Sequence, residues 1–264
     1  MLPRVSYVQA EEADFLLFST ADQISETLFR SGTWAADLLT VANVFLYNID
    51  QPVILDVGAN LGSFAIPLAK KVQAVKGKVI AFEPQRIVFY QLCGNIILNR
   101  LDNCHALNFA IGDSDGEVEI PDLNYETSTN IGGFSLSEEY RDRMGTNQHL
   151  LGSSSRVPIR KLDSLAETGR PALIKIDLEG FEINVFRGSL EYLERHAFPP
   201  VLFEAWTDDW FKTQREELFS FVSSLGYTIS ALSTTDFVAQ HPYNAVKVDF
   251  VPQTGGGTRL VRTA

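Results

Sequence analysis

Three acidic residues in two short runs carry the strongest chemical suggestion in this chain. "LIKIDLEG" (173–180) ends with Asp177 and Glu179, and "VLFEAW" (201–206) holds Glu204. Both runs read as buried strands, which puts these acids at the carboxyl edge of a sheet. Open α/β sheets form their ligand crevice at that edge. Carboxylates gathered there raise one another's pKa by like-charge repulsion unless a cation lies between them. Two chemistries follow. One acid acts as a general base toward a hydroxyl, with Lys175 compensating its neighbours. Alternatively the set Asp177, Glu179 and Glu204 holds a hard, oxygen-seeking divalent cation such as magnesium. The direct base is the preferred reading. Structural roles stand beside both: Glu179 as a cap near Gly180, and Lys175 as a plain ion-pair partner.

A second constellation lies upstream in "VILDVGANLGSFAIPLAKK" (53–71). Gly58 and Gly62 bracket Asn60 in a turn between a strand and a helix, and glycine there permits close approach of a ligand to backbone. The helix, starting near Ser63, would aim its free amides into the crevice. Dinucleotide folds want G-x-G-x-x-G so that a pyrophosphate rests on that helix end; this chain has G-x-x-x-G. Asp56 just ahead of the turn suits a cationic ligand better, such as the sulfonium and ammonium of S-adenosylmethionine. Glu83-Pro84 closes the next strand about 20 residues on, where an acid accepts hydrogen bonds from both hydroxyls of a ribose. Asn108, Ala110 and Asp113 would border an adenine edge. An NAD-dependent oxidoreductase, or a non-catalytic protein with a vestigial cofactor site, are the rival readings.

The elements that must position these groups alternate. "VILDV", "KVIAFEP", "CHALNFAI", "ALIKIDL" and "PVLFEAW" read as strands, with helices at 61–71, 86–99, 181–196 and 213–225. Such alternation implies parallel strands with right-handed crossovers. "YTISAL" and "AVKVDFV" suggest an antiparallel finish. Residues 1–50 read as an N-terminal helical extension, in which Thr33 caps a helix carrying Trp34, Leu38, Val41 and Phe45 on one face. Residues 51–253 form the main domain, interrupted at 117–165 by a polar insertion that reads as a lid over an acceptor. In it Asn130 and Tyr125, with Phe134 and Tyr140, are candidates to touch that acceptor, as is Trp206 after the last parallel strand. Residues 254–264 read as a flexible tail.

Composition sets the outer bounds. The chain has 264 residues, 45% of them hydrophobic and 21% charged, which suits one sizeable folded domain. Its formal charge of −11, from 33 acidic and 22 basic residues, disfavours nucleic acid as a partner. No run approaches the ~18 apolar residues of a membrane span. The opening residues lack a secretory h-region, which gives a cytoplasmic expectation. Cys93 and Cys104 lie outside any CxxC and read as buried thiols.

With these pieces placed, the chain resembles the FkbM family of S-adenosylmethionine-dependent methyltransferases. The resemblance rests on "LDVGANLGSFAI", "AFEP" with "NIILN", "AIGDSDGEVEI", "NIGGFSL", "VPIRKLDSL" and above all "LIKIDLEGFEINVFRG". It implies a class I methyltransferase fold, three-layered α/β/α, with a mostly parallel seven-stranded Rossmann-like sheet whose last strand is antiparallel. It also implies S-adenosylmethionine as cofactor and methyl transfer to oxygen, often of a sugar or polyketide. Many members carry an aromatic residue followed by Glu in the N-terminal helix. Here Trp34 is followed by Ala35, so the resemblance assigns that helix no cofactor contact.

Overall fold

The computed structural model describes residues 3–19, 22–128, 130–165, 168–252 and 258–263. The chain opens with an antiparallel hairpin, β1 (Val5–Gln9) and β2 (Asp14–Phe18), then α1 (Gln23–Ser31) and α2 (Ala36–Leu46). Then follow β3 (Val53–Val57), α3 (Ala65–Gln73), β4 (Lys78–Phe82), α4 (Arg86–Leu98) and β5 (Cys104–Leu107). Next come β6 (Ala110–Ile111) and β7 (Gly116–Leu123), which leads into the insertion, and within it α5 (Glu138–Arg143) and β8 (Leu150–Arg160). The second half runs β9 (Pro171–Ile176), α6 (Glu182–Arg187), α7 (Leu190–Arg195), β10 (Val201–Glu204) and α8 (Lys212–Ser224). It ends with β11 (Thr228–Ala231), β12 (Asp236–Gln240), β13 (Lys247–Pro252) and β14 (Thr258–Thr263).

The central sheet has seven strands in the order β11-β12-β10-β9-β3-β4-β5. β10, β9, β3, β4 and β5 pair in parallel, and β12 runs antiparallel to both β10 and β11. This is the mostly parallel α/β/α sheet with an antiparallel last strand that the resemblance implies. Strand alternation sorts its core. Val53, Leu55 and Val57 face one layer with Ile174, Ile176 and Val185. Ile54 and Leu173 face the other, under α2 and α3, with Phe45 and Ile66. Burying such side chains contributes about 1.5–3 kcal/mol each.

Several elements differ from the sequence expectation. Residues 1–50 begin with strands, because Phe15 and Leu17 alternate inward at 1% and 2% exposure. The N-cap of α2 is Ala35, not Thr33, and it offers no side-chain hydrogen bond. The antiparallel strand beside β10 is "DFVAQ", not "AVKVDFV", which instead pairs with β14 in a separate hairpin. Thr258–Thr263 is therefore a paired strand rather than free tail, while 253–257 and Ala264 lie outside the described residues. The insertion is mostly built structure: β6, β8 and β7 form a three-stranded sheet. "CHALNFAI" splits between β5 in the main sheet and β6 in the small one. Among the described residues no helix is long and apolar enough to cross a membrane. Cys93 is half-buried and Cys104 buried, both free thiols.

Candidate active site

A cavity of about 370 Å³ opens at the carboxyl ends of β3, β4, β9 and β10. Its floor is the β3–α3 turn. The N–H groups of Gly58 and Ala59 both donate to the Phe82 carbonyl, which bends the chain sharply as it leaves the sheet. Gly58 has φ 81°, and a Cβ there would meet the Asp177 carbonyl at 1.9 Å, so only glycine lets the two strand ends lie side by side.

Glu83 anchors this floor. One of its carboxylate oxygens accepts from the Asn60 N–H at 2.9 Å and the other from the Gln85 N–H at 2.8 Å. Each oxygen keeps acceptor capacity beyond this one bond, and Glu83 lines the cavity at 5% exposure. Burial pushes its pKa up to about 7, with the two backbone donors pulling the other way. Asn108 holds the same corner from behind, its amide donating to the carbonyls of Glu83 and Pro84 at 2.8 and 3.1 Å.

Asp56 is not beside the ligand space. It shares a sheet face with Ile54, is 0% exposed, and is the register partner of Lys175 on β9. Lys175 Nζ lies 3.3 Å from Asp56, 3.1 Å from Asp177, and donates to the Gly58 carbonyl at 3.0 Å. Burial pushes Asp56 up to about 6 against the pull of Lys175. Burial works against the Lys175 charge as well, but Asp177 and Asp56 more than offset it, and its pKa is raised. Lys175 thus ties the floor to the acidic wall.

That wall is made by Asp177, Glu179 and Glu204, whose carboxylate oxygens lie within 4.8 Å of one another. Glu179 and Gly180 both adopt left-handed backbone, φ 53° and 91°, in the tight β9–α6 turn. A left-handed glutamate is a strained conformation of the kind that clusters at functional sites. Buried Glu182 pins this turn, accepting from the Leu178 and Gly180 N–H groups at 2.8 and 3.3 Å. Burial, then the charges of Asp177 and Glu182, push Glu179 up to about 8, with the Trp206 indole donating to it in opposition. Glu204 is raised well above its usual range by burial, then by Asp177 and Glu179; its Oε2 has no hydrogen-bond partner. Asp236, register partner of Glu204, extends the acidic wall.

The insertion roofs the cavity. Asn130, Gly132, Gly133 and Phe134 line it, and the Asn130 side chain accepts from the Gly133 N–H at 2.9 Å. Ile131 is held at both ends of its backbone: its N–H donates to Asp22 at 2.9 Å and its carbonyl accepts from Gln85 at 3.1 Å.

The cavity therefore gathers Gly58, Asn60, Ser63, Glu83, Pro84, Ala110, Asn130, Lys175, Asp177, Glu179 and Glu204 from the sequence reading. Asp56, Gly62, Asn108, Tyr125 and Trp206 are not among its lining. Gly62 faces Ile66 and Leu92 in the core. Tyr125 packs edge-on against Phe18 at 6.2 Å. Trp206, 8% exposed, sits in a ring cluster with Tyr140, Trp210 and Phe211 behind Glu179. Sequence reasoning missed Gln85, Glu182 and Asp236. The acid three residues beyond Glu179, across a glycine, was the available signal for Glu182, since that spacing lets a side chain reach back to turn amides.

Comparison with known proteins gives the chain its relatives. "Methyltransferase sdnD" of Sordaria araneosa is 26% identical over 227 residues, 78% of this chain and 85% of that protein. "Hexuronic acid methyltransferase AglP" of Haloferax volcanii is 27% identical over 162 residues, 60% of this chain and 59% of that one. The crystal structure of an FkbM methyltransferase from Methylobacillus flagellatus KT superposes with TM-score 0.46 at 17% identity, over 74% of this chain and 45% of the other. The methyltransferase FkbM domain model matches residues 56–229, from the buried aspartate of β3 to the start of β11, and so takes in both ends of the cavity. The chain belongs to the FkbM methyltransferase family.

Proposed function

We propose that the protein is an S-adenosylmethionine-dependent O-methyltransferase whose acceptor is a hydroxyl of a sugar, a glycan or a small natural product. The observation that carries this reading is the convergence of Asp177, Glu179 and Glu204 on the cavity whose other end is Glu83. The residues present fit an adenosyl ligand. The cavity volume lies in the range of about 300–1,000 Å³ for small-ligand sites. Glu83 keeps acceptor capacity for ribose hydroxyls, and the acidic wall favours a cation. When bound, S-adenosylmethionine supplies a methyl group on a positively charged sulfur.

The chain's own part is positioning and proton handling. The floor and roof would hold an acceptor hydroxyl in place for transfer, and such positioning supplies up to about 7–11 kcal/mol. Glu179 in its carboxylate form would take the proton of an acceptor hydroxyl held in the cavity. A pKa of about 8 makes it a stronger base than an exposed glutamate. Glu204, its pKa raised well above the usual range by burial and then by the charges of Asp177 and Glu179, stands beside it on the same wall.

A second reading keeps the same residues and binds a divalent cation between the three carboxylates, favoured by their 4.8 Å clustering and by the unpaired Glu204 Oε2. The net charge of −11 and the hexuronic acid named for the Haloferax volcanii relative both support a small or glycan acceptor over nucleic acid. The test is a methyl-donor assay over a panel of sugars, uronic acids and polyketide alcohols, run with and without EDTA. Transfer that survives EDTA supports the direct base, and loss rescued by magnesium supports the metal. No S-adenosylhomocysteine binding by calorimetry would end the reading.

A further inference from the structure

The N-terminal hairpin treats its two edges differently. The Arg4 carbonyl accepts from the Ser19 N–H at 2.7 Å, and the Ala10 N–H donates to the Ala13 carbonyl at 3.0 Å. With the register of β1 on β2, antiparallel alternation turns the backbone groups of Ser6 and Val8 toward β2 as well. Those of Val5, Tyr7 and Gln9 point the other way. On β2 the outward groups are met by α4. Asn99 accepts from the Asp14 N–H at 3.0 Å and donates to the Asp14 carbonyl at 2.7 Å. Asn95 accepts from the Leu16 N–H at 2.7 Å, and Gln91 donates to the Leu16 carbonyl at 2.8 Å. Side-chain amides at every fourth position of α4, ending at its cap Asn99, thus close that edge. Among the described residues β1 pairs with no strand but β2, and its outer edge stays open.

An open strand edge is a template for another strand, and chains blunt such edges with shortness, charge or proline. β5 and β11, at the edges of the central sheet, have four residues each. β7 carries Glu117, Glu119 and Pro121, and the β13–β14 hairpin carries Lys247 and Arg259. β1, "VSYVQ", has no charge and no proline over its five residues. Its Val5 and Tyr7 side chains are 52% and 58% exposed. The charges stand just outside it: exposed Arg4 at one end, exposed Glu11 and Glu12 at the other. That polarity matches a second copy of the strand run antiparallel. A two-fold axis at Tyr7 pairs Tyr7 with Tyr7 of the second copy and Val5 with Gln9, so every open group of both strands finds a partner. Arg4 then falls opposite Ala10 of the second copy, next to its Glu11, and symmetry repeats the match at the other end. Parallel pairing would set like charge beside like.

We propose that β1 is a homodimer interface. Two copies join antiparallel through their β1 edges into a continuous four-stranded sheet, with Tyr7 packed across the axis and Arg4 of each copy beside Glu11 of the other. Tyrosine is a residue that such contacts favour. The strand is short, so the dimer belongs to the weak class that buries less than about 1,200 Å².

The experiment is sedimentation velocity of the full chain from roughly 1 to 300 µM, in about 0.15 M salt to screen the like net charges of two copies. Wild type is expected to pass from monomer toward dimer across that range. Tyr7→Pro removes the central outward N–H and leaves the β1–β2 bonds in place, since proline is tolerated on an edge whose N–H faces out. It raises the dissociation constant more than about 10-fold. Arg4→Glu raises it about 3- to 10-fold, and adding Glu11→Arg to that variant returns it toward wild type. Amide exchange at Val5, Tyr7 and Gln9 slows with protein concentration in wild type and does so less in Arg4→Glu. A monomer at the highest concentration overturns the inference. A dimer that Tyr7→Pro leaves undiminished, or a charge swap that restores nothing, overturns it as well.

Discussion

The two ends of the cavity each rest on a glutamate at the end of a strand, yet they treat it in opposite ways. Glu83 has both carboxylate oxygens engaged by backbone N–H groups of its own chain. Glu204, at the far wall, keeps an oxygen with no partner, and Glu179 beside it is held in strained backbone. A buried acid with its donors supplied is a fixed acceptor, suited to binding. Acids crowded without enough donors store unfavourable electrostatic energy, which a proton or a cation relieves. The floor is thus built to hold, and the wall to exchange charge.

The largest break in this contrast is expected from Glu179→Gln. Turnover falls about 10²- to 10⁴-fold, while S-adenosylhomocysteine affinity by calorimetry stays within about 3-fold. Equal losses in both would place Glu179 among the binding groups and erase the distinction. Gly58→Ala attacks the seam between the two ends, since the new Cβ meets the Asp177 carbonyl. Denaturant melts should show about 3 kcal/mol or more of destabilisation; a loss under about 1 kcal/mol would mean the strand ends are not locked together. Glu83→Gln reverses the first pattern. It leaves one backbone donor without its charged acceptor, weakens S-adenosylhomocysteine binding about 10- to 100-fold, and lowers stability by about 1–3 kcal/mol.

Acidity sharpens the comparison further. Asp56 at about 6, Glu83 and Glu182 at about 7, and Glu179 at about 8 all sit above the usual carboxyl range because of burial. Between roughly pH 4 and 8 the folded chain therefore holds more protons than the unfolded one, so stability declines as pH rises through that window. Thermal melts of the ligand-free protein at pH 5 and pH 8 should show the lower midpoint at pH 8; a rise would contradict the buried-acid account. The floor and wall separate in kinetics: kcat/KM climbs with pH toward a plateau above about pH 8 as Glu179 ionises, and Glu179→Gln abolishes that limb. The smallest effect belongs to the exposed Glu139–Arg143 pair, where Glu139→Ala changes stability by no more than about 0.5 kcal/mol.

Much of this site is legible in the sequence for a specific reason. Strands buried on both faces read as short apolar runs, and an acid at the end of such a run stands out, as Glu83, Asp177 and Glu204 do. Asp56 was misplaced because its spacing to the glycines says how near it is along the chain, not which face of β3 it takes. Its register with Lys175 is a long-range fact. Tyr125 and Trp206 are aromatic in the right neighbourhood, and only packing shows them occupied by Phe18 and by Tyr140. The choice of "DFVAQ" over "AVKVDFV" for the sheet was hidden for the same reason: both suit a strand, and the partner decides. The roof's contacts join residues 22, 85 and 131, separations no local pattern encodes.

The double hold on Ile131 has a consequence for anyone wishing to redirect this enzyme. A single residue fastens the insertion to α1's cap on one side and to the start of α4 on the other. Transplanting the 124–136 loop from a relative would import a foreign surface while leaving both mooring points unmatched. A chimera that carries Asp22 and Gln85 along with the loop should seat it correctly, so the roof of this scaffold is a module of three separate pieces of chain rather than one.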